Sequence, residues 1–492
     1  MNPIDRLVEY FAPQAALKRH AARQVLAYYE AARPSRKRKF YRDNAGPNRQ
    51  TEQGAVPIRI QARHLEQNHD LTRGAIRTLV NNVVGPGGIG IEPQPRRADG
   101  SIHEEYANIL LEAWRDWSRK PEVTHRHHFS KVQRIAARSW IRDGEMFAQI
   151  LPGRVPFLDH GTRVPFSLEL IEADMVPFEF TDEGRGIRQG VQLNQWGRAI
   201  GYWVYKSHPT DGLRFVSQRD LKFVPASRML HPAFIDRIGQ VRGVSEFASV
   251  ITRLEDIKDY EESERVAAKI AAMLTAYVKR GNPDLYDPNA LPRDEEGNPL
   301  PREINFQPGM VIDTLNMGEE IGLIDSKRPN PNVVTFRQGQ LKAFAAGLGA
   351  SYSSVSRDYD GTYSAQRQEL VEQWVHYAVL TDDFVGDFIQ PIWEEFVNVA
   401  ALSVAPVPAD VVPGTENDAS YIGQSMPWID PLKEAMGYLR LVRAGFASEA
   451  EVIRKRGRNP KDVLEQISDF RKRAKERDLT LDSDASVSSS TR

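Results

Sequence analysis

From Val244 to Lys279 the chain contains neither proline nor glycine. Apolar residues recur there at helical spacing, as Val250, Ile251, Leu254, Ile257, Tyr260, Val266, Ile270 and Leu274. One helix over this span, at ~1.5 Å per residue, reaches roughly 50 Å, well beyond the ordinary globular helix. Its apolar face is longer than one copy readily buries, so self-association is expected. The middle of the segment is acidic, with Glu255, Asp256, Asp259, Glu261, Glu262 and Glu264 against Lys258 and Arg265. Two readings fit: a solvated face laced with i, i+4 ion pairs, or a negative surface that does not hold a polyanion.

The helical pattern stops at Gly281. Residues 281–332 hold Pro283, Pro288, Pro292, Pro299, Pro301, Pro308, Pro329 and Pro331, with short extended runs such as 310–315 between them. This stretch is too short and too rich in proline for a large core of its own and reads as a small insertion. Helical spacing resumes over 335–348. The run GASYSSVSRDYDGTY at 349–363 then reads as a polar loop. A second long amphipathic pattern covers 364–402, with Trp374, Tyr377, Phe384, Phe388 and Trp393 on it, and Pro391 is expected to kink it. A linker follows at 406–427. Two or three helices are expected over 431–477, with a turn at 457–460. The Ser/Asp-rich end from 482 reads as disordered.

Upstream, 63–84 reads as one helix, its stripe formed by Leu65, Ile76, Leu79, Val80, Val83 and Val84. Two more helices are expected at 104–119, carrying Trp114 and Trp117, and at 129–143, carrying Val132, Ala136 and Trp140. From residue 145 to about 225 the period shortens to that of strands, clearest at 147–151, 166–171, 190–193 and 199–205. The fold class is therefore α+β, with a mostly antiparallel sheet.

The formal net charge is −1, from 65 Lys+Arg and 66 Asp+Glu, which excludes a uniformly basic nucleic-acid binder. Locally the balance breaks: residues 18–42 carry nine Lys and Arg against the single acid Glu30. The part around Arg36, Lys37, Arg38 and Lys39 is poor in large apolar residues and reads as an extended or disordered basic arm. It suits a solvated linker, or a contact for phosphates or an acidic protein surface. The chain has no cysteine, which excludes a disulfide scaffold, a thiolate zinc site and a thiol nucleophile, and fits assembly in a reducing cytoplasm. No run approaches the ~20 apolar residues of a membrane span, and residues 1–24 lack the apolar core of a signal peptide. Neither a secreted nor a membrane protein is expected.

Catalytic signatures fail on context. GPGGIG at 85–90 has the glycine spacing of a dinucleotide fingerprint. There a helix precedes and extended chain follows, the reverse of the order that sets a helix N-terminus on a pyrophosphate. A helix C-terminus is expected instead, with all four glycines at positive φ. The sequence holds no Gly-Lys-Ser or Gly-Lys-Thr loop and no Gly-x-Ser-x-Gly elbow. His125, His127 and His128 cluster without the spacing of a facial metal pair and read as a polar lead-in to the helix at Phe129. No catalytic set, metal or cofactor is expected. A nucleotide- or metal-dependent DNA-processing enzyme is the alternative.

Four segments, in this order and at this spacing, resemble the portal proteins of tailed bacteriophages, in their lambda-type branch. They are NHDLTRGAIRTLVNNVVGPGGI at 68–89, FSKVQRIAARSWIRDGEMF at 129–147, RGVSEF at 242–247 running into DYEESE at 259–264, and GLGASY at 347–352 followed by RDYDGTYSAQR at 357–367. The likeness continues at WIDPLKEA, 428–435, and spans roughly residues 60–475. It implies a non-enzymatic ring, expected as twelve subunits at one capsid vertex of the virion, assembled in the host cytoplasm. Double-stranded DNA would pass through it, and terminase, head-tail connector (adaptor) proteins, the major capsid protein and scaffold would be its partners.

The resemblance also implies a division of the chain. Residues 1–50 would be the basic arm, 51–242 the wing, 243–280 a stem helix, 281–333 the clip, and 334–350 a second stem helix. Residues 351–364 would be the tunnel loop, 365–430 a long wing helix with its linker, 431–478 the crown, and 479–492 a disordered tail. Tyr352, Ser354, Arg357, Tyr359 and Tyr363 would face the DNA from the tunnel loop, and Glu255, Asp259 and Glu262 would line the channel from the stem. The tyrosines suit packing between subunits equally well.

Overall fold

The computed structural model describes residues 44–211, 218–272, 276–280, 294–297, 319–323, 332–426, 430–479 and 481. The chain divides into residues 1–50 and 51–492. Of the first unit only 44–50 are described, so Arg36, Lys37, Arg38 and Lys39 lie outside the described residues.

Helix α1 (Pro47–Asn68) begins sixteen positions before the expected start at residue 63, with Pro47 in the first turn, where a missing N–H costs nothing, and a second proline, Pro57, in its interior. Residues 47–50 are therefore helical rather than part of an extended arm. The helix went unread because its buried face, Thr51, Ala55, Arg59, Ala62, Leu65 and Glu66, is half polar. It also does not run on to residue 84. His69 is extended (φ −130°, ψ 120°) and its Nδ1 accepts from Leu71 N, which starts α2 (Asp70–Val83) afresh. The glycine turn does close α2, but only Gly85 and Gly88 of the four take positive φ. Gly88 lies against Ser130, where a Cβ would come within 2.8 Å of the serine Cβ.

The turn leads into β1 (Gly90–Pro93), then α3 (Glu104–Trp117) and α4 (Phe129–Asp143). Gly144 ends α4 at φ +91°, pressed so closely on the 243–245 backbone that an added Cβ would lie 2.2 Å from the Val244 carbonyl carbon. Strand β2 (Phe147–Pro152) pairs antiparallel with β3 (Phe166–Ile171). The short strands β4 (Ile187–Arg188) and β5 (Val191–Leu193) continue with β6 (Ala199–Tyr205) and β7 (Leu221–Pro225) as a four-stranded antiparallel meander. β8 (Met229–Leu230) returns to the free side of β2. The antiparallel α+β reading holds in this part.

The long helical expectation over 244–279 does not. A 3₁₀ turn at Glu246–Ser249 precedes α5 (Ile251–Ala272), and β9 (Ala276–Arg280) follows in place of further helix. At 22 residues α5 spans ~33 Å. The reason is non-local: Ala276–Arg280 pairs antiparallel with β10 (Glu319–Leu323), Ala276 opposite Leu323 and Arg280 opposite Glu319, and those ladder bonds compete with the helical ones. The insertion expected at 281–333 lies mostly outside the described residues.

Helix α6 (Asn332–Gly347) leads to a short helix, α7 (Tyr352–Ser356), inside the expected loop. The second long helix starts as α8 (Tyr363–Phe384), opens into a five-residue π-helical turn at Val385–Ile389, and resumes as α9 (Gln390–Ala401). Pro391 thus sits in the first turn of α9, and the irregularity lies in the wider turn before it, which accommodates the missing N–H. β11 (Ala419–Ile422) pairs with β1, bringing Ile422 opposite Gly90. Three helices follow: α10 (Pro431–Arg443), α11 (Glu449–Lys455) and α12 (Pro460–Glu476), with Gly457 at φ +70° in the expected turn.

The main core joins α3, α4, β3 and α9. Trp114 packs edge-on to Trp393 (5.3 Å between centroids) and Phe396 (4.9 Å), and Trp117 stacks on Phe166 (5.3 Å). Two of the indole N–H groups are satisfied, Trp117 donating to Phe166 O and Trp393 to Asn417 O, each at 2.8 Å.

Candidate functional site

α5 and α6 lie side by side and antiparallel. Arg253 donates to Gln340 near one end, while Tyr260 meets Phe336 (4.7 Å) and Arg337 meets Glu261 further along. On α5, Leu254 and Ile257 are buried, whereas Asp259 and Glu262 are exposed and Glu255 is half-buried. Glu255, Asp259 and Glu262 stand at i, i+4 and i+7 and so share one helix face. Of the acidic middle, Glu261 is turned to the Arg337 guanidinium in an ion pair.

At its C-terminal end α6 closes with a glycine cap. Ala350 N donates to Ala345 O (3.0 Å) and Gly349 N to Ala346 O (3.3 Å), the paired bonds of a Schellman motif, with Gly349 at φ +61°. The His376 ring of α8 packs on that glycine, 2.6 Å from where a Cβ would stand. Burial pushes the His376 imidazole pKa down, against a hydrogen bond to the Leu348 backbone that raises it.

The segment after the cap is tethered rather than loose. Ser351 caps α7, its Oγ accepting from Ser354 N at 3.1 Å. Glu369 of α8 takes two hydrogen bonds from Ser353, from N (3.2 Å) and Oγ (2.8 Å). Ser354 Oγ donates to Gln373 Oε1 (3.1 Å), and Val355 is buried. Tyr352 OH donates to Asp358 Oδ2 (2.9 Å), and burial with that bond raises its pKa above the ordinary phenol range. Lys342 Nζ lies 5.5 Å over its ring. α7 then ends on Arg357, which is left-handed (φ +60°) and exposed, its Nη2 reaching Thr78 Oγ1 at 3.4 Å.

The five expected loop residues therefore divide. Tyr352 and Ser354 face the α6–α8 scaffold, half-buried, while Arg357 and Tyr359 are exposed on the polar tip with Asp360, Gly361 and Thr362. Tyr363 is the first residue of α8. A purely irregular loop at 351–364 is corrected by α7: the serines that made it look loop-like are a helix cap and the donors to Glu369 and Gln373.

The histidine cluster is a turn. The Glu122 carboxylate accepts from Thr124 N and Oγ1, Arg126 N and His127 N at 2.6–3.0 Å. Burial pushes its pKa up, but these bonds outweigh burial and hold it below the ordinary carboxylate range. His128 stands at the N-cap of α4 with Nδ1 against Ser130 Oγ (2.7 Å). Among the described residues, metal-ligand atoms converge instead at Glu172, Asp174 and His208, within 4.8 Å of one another. Arg59 (3.2 Å) and Arg63 (2.7 Å) already sit on Asp174, so the negative charge a cation needs is met by guanidinium groups.

The sequence reading passed over a buried ion network behind these elements. Arg242, fully buried, donates to both oxygens of the fully buried Glu145 at 2.6–3.0 Å. Its Nη1 reaches Val176 O and Gln189 O, and its guanidinium lies 3.9 Å over the Phe178 ring. His231 Nε2 and Gly243 N complete the Glu145 shell, each at 3.0 Å. Burial pushes the Glu145 pKa up, but Arg242 and His231 outweigh it and hold it well below the ordinary range. Arg242 lies within RGVSEF, yet nothing in its local pattern marks it as buried.

The model of the phage portal protein, lambda family, matches residues 33–380. A probable portal protein of Halomonas phage phiHAP-1 is 24% identical over 436 residues, covering 85% of this chain and 80% of the relative. Portal protein B of Escherichia phage lambda is 24% identical over 314 residues, 58% of each chain. Among solved structures, a chain from the neck of an empty gene transfer agent particle, computed with C6 symmetry, superposes with a TM-score of 0.47 at 10% identity, over 80% of this chain and 92% of that one. With the family match extending from before α1 to within α8, and so across both α5–α6 and the tethered segment, this chain belongs to the lambda family of phage portal proteins.

Proposed function

We propose that the chain forms the ring-shaped portal at one capsid vertex, expected as twelve copies, through which double-stranded DNA enters during packaging and leaves on ejection. The observation that carries this reading is the antiparallel α5–α6 pair, with a different device at each end. At one end the β9–β10 ladder leads to the proline-rich insertion; at the other the Gly349 cap leads to the tethered 351–364 segment. A stem with a clip (281–333) beyond it and a tunnel loop at its base accounts for that order. In this reading residues 51–242 with 365–430 are the wing and 431–478 the crown.

Asp259 and Glu262 then face the channel, with Glu255 on the same side, where carboxylates keep phosphates from making lasting contacts. Arg357 and Tyr359 touch DNA from the exposed tip. The clip docks terminase and later the connector proteins, and the wing meets the major capsid protein and scaffold. The chain acts without catalysis or cofactor, within the virion, after assembly in the host cytoplasm. No helix among the described residues is long and apolar enough to cross a membrane.

Electron microscopy of the purified protein tests the ring: closed rings with an axial hole are expected, and a strictly monomeric protein in every packaging buffer and in particles overturns the reading. Deleting 281–333 tests the clip: rings persist and packaging stops, whereas unchanged packaging removes the assignment.

A further inference from the structure

The C-terminal helices leave their apolar stripes uncovered. No side chain of α10 or α11 is buried, and in α12 only Ala474 is. Helices of this length are marginal in water unless an apolar face is packed. On α10, Leu432, Met436 and Leu439 recur at i, i+4 and i+7, and Leu432 is 75% exposed. Glu434 and Tyr438 stand roughly half a helical turn away from that stripe. Those two face the chain's own α8: Glu434 meets Arg367 at 3.5 Å, and Tyr438 lines a cleft of about 600 Å³ with Trp374 and Thr381. The α10 stripe therefore points away from its own chain.

α8 carries a matching stripe. Val371, Val375 and Val379 recur at i, i+4 and i+8, all exposed, with Val375 at 64%. The two stripes span similar lengths, ~12 Å on α8 and ~10 Å on α10. Their borders differ in sign: exposed Glu372, Asp382 and Asp383 flank the valines, and exposed Arg440 and Arg443 flank the α10 stripe. Burial and the neighbouring Asp382 charge push the Asp383 carboxyl above its ordinary range, a repulsion that a guanidinium from outside the chain relieves.

We propose that the Leu432/Met436/Leu439 stripe of α10 in one copy packs on the Val371/Val375/Val379 stripe of α8 in the next copy, with Arg440 and Arg443 beside Asp382 and Asp383. Each α10 then bridges its own α8, through Glu434, and its neighbour's. Two different patches meeting head-to-tail is the heterologous contact that closes a ring. The inference rests on the ring reading and goes beyond it by naming the surfaces.

The absence of cysteine makes the test direct. Val375→Cys and Met436→Cys are made singly and together, then cross-linked under mild oxidation. The double variant should give a covalent ladder rising to the closed oligomer, and the mixed single variants should give dimers only. Rings seen by electron microscopy without the ladder overturn this contact alone, as does a cross-link confined within one chain. A chain that forms no rings in wild-type form overturns the ring reading and this one with it. As a second readout, Asp382→Arg should weaken assembly on the order of tenfold and Arg440→Asp should restore it; unchanged assembly in Asp382→Arg overturns the contact.

Discussion

Arg242 and Glu145 meet with neither side chain exposed to solvent, the guanidinium bonding both carboxylate oxygens at 2.6–3.0 Å. Removing Glu145 leaves the Arg242 guanidinium buried with only backbone carbonyls for partners, and removing Arg242 takes from the buried Glu145 its bidentate counter-charge, leaving His231 at 3.0 Å and Arg59 at 3.8 Å. Arg242→Ala or Glu145→Ala should therefore cost about 3–5 kcal/mol, while the double variant loses less than the sum of the two. Denaturant unfolding of the single and double variants measures both.

The same pair sets an acid sensitivity. Folding lowers the Glu145 pKa, so its contribution to stability is complete above the unfolded value of about 4.3 and is lost as pH falls below it. Unfolding free energy should drop between about pH 4 and pH 2. In Glu145→Gln that slope should be shallower, whatever its stability at neutral pH.

Gly349 cannot carry a side chain without moving His376. Gly349→Ala combines a left-handed φ of +61° with a Cβ 2.6 Å from the imidazole and should destabilise by about 1–3 kcal/mol. Adding His376→Ala removes the clash but not the backbone strain, so part of the loss returns. Thermal unfolding of both variants separates the two contributions.

Glu369 holds α7 to α8 through Ser353. Glu369→Ala should raise amide hydrogen exchange over residues 352–358 by on the order of tenfold, leaving exchange in α3 and α4 unchanged. Equal exchange in variant and wild type would show that the cap at Ser351 suffices.

The exposed acids of α5 make a prediction about DNA. In the proposed channel, Asp259→Lys with Glu262→Lys should turn a face that repels phosphates into one that retains them. DNA retention by rings should then rise and become more salt-dependent, the slope of log affinity against log salt steepening by about one to two per subunit engaged. Filter binding across a salt series reads this.

How much was legible in the sequence depended on whether a residue's partner was close in the chain. The helix at 129–143 and the strands at 166–171 and 199–205 agree with their expected bounds, because a one-sided apolar period and a closing glycine are local signals. α1 was missed before residue 63 because Thr51 and Arg59 occupy its buried stripe and Pro57 lies within it, and the buried Glu66 further along is equally unmarked. A charged residue reads as solvated until the fold supplies its counter-charge, here Asp174 for Arg59 and Arg138 with Arg142 for Glu66. In the candidate site, the polar tip with Arg357 and Tyr359 was readable from composition. The inward turn of Tyr352 and Ser354 was not, since Asp358 is local but Gln373 is contributed by another helix.

The sequence by itself determined the mixed helix-and-strand class, the run of helices and strands from residue 104 to 205, the absence of thiol chemistry and the likeness to the portal family. All of these follow from local periodicity, residue type and linear order. Only the tertiary structure decided that the long segment after Gly243 is strand rather than helix at Ala276–Arg280, because that stretch pairs with Glu319–Leu323, some forty residues on. It alone decided that Gly144 and Gly243 must be glycines, since two backbones meet there at a distance no Cβ tolerates. It alone turned Arg242 and Glu145 inward. Ladder bonds, close backbone approach and buried charge pairs each need two distant segments, and the energy that fixes them exists only once both are in place.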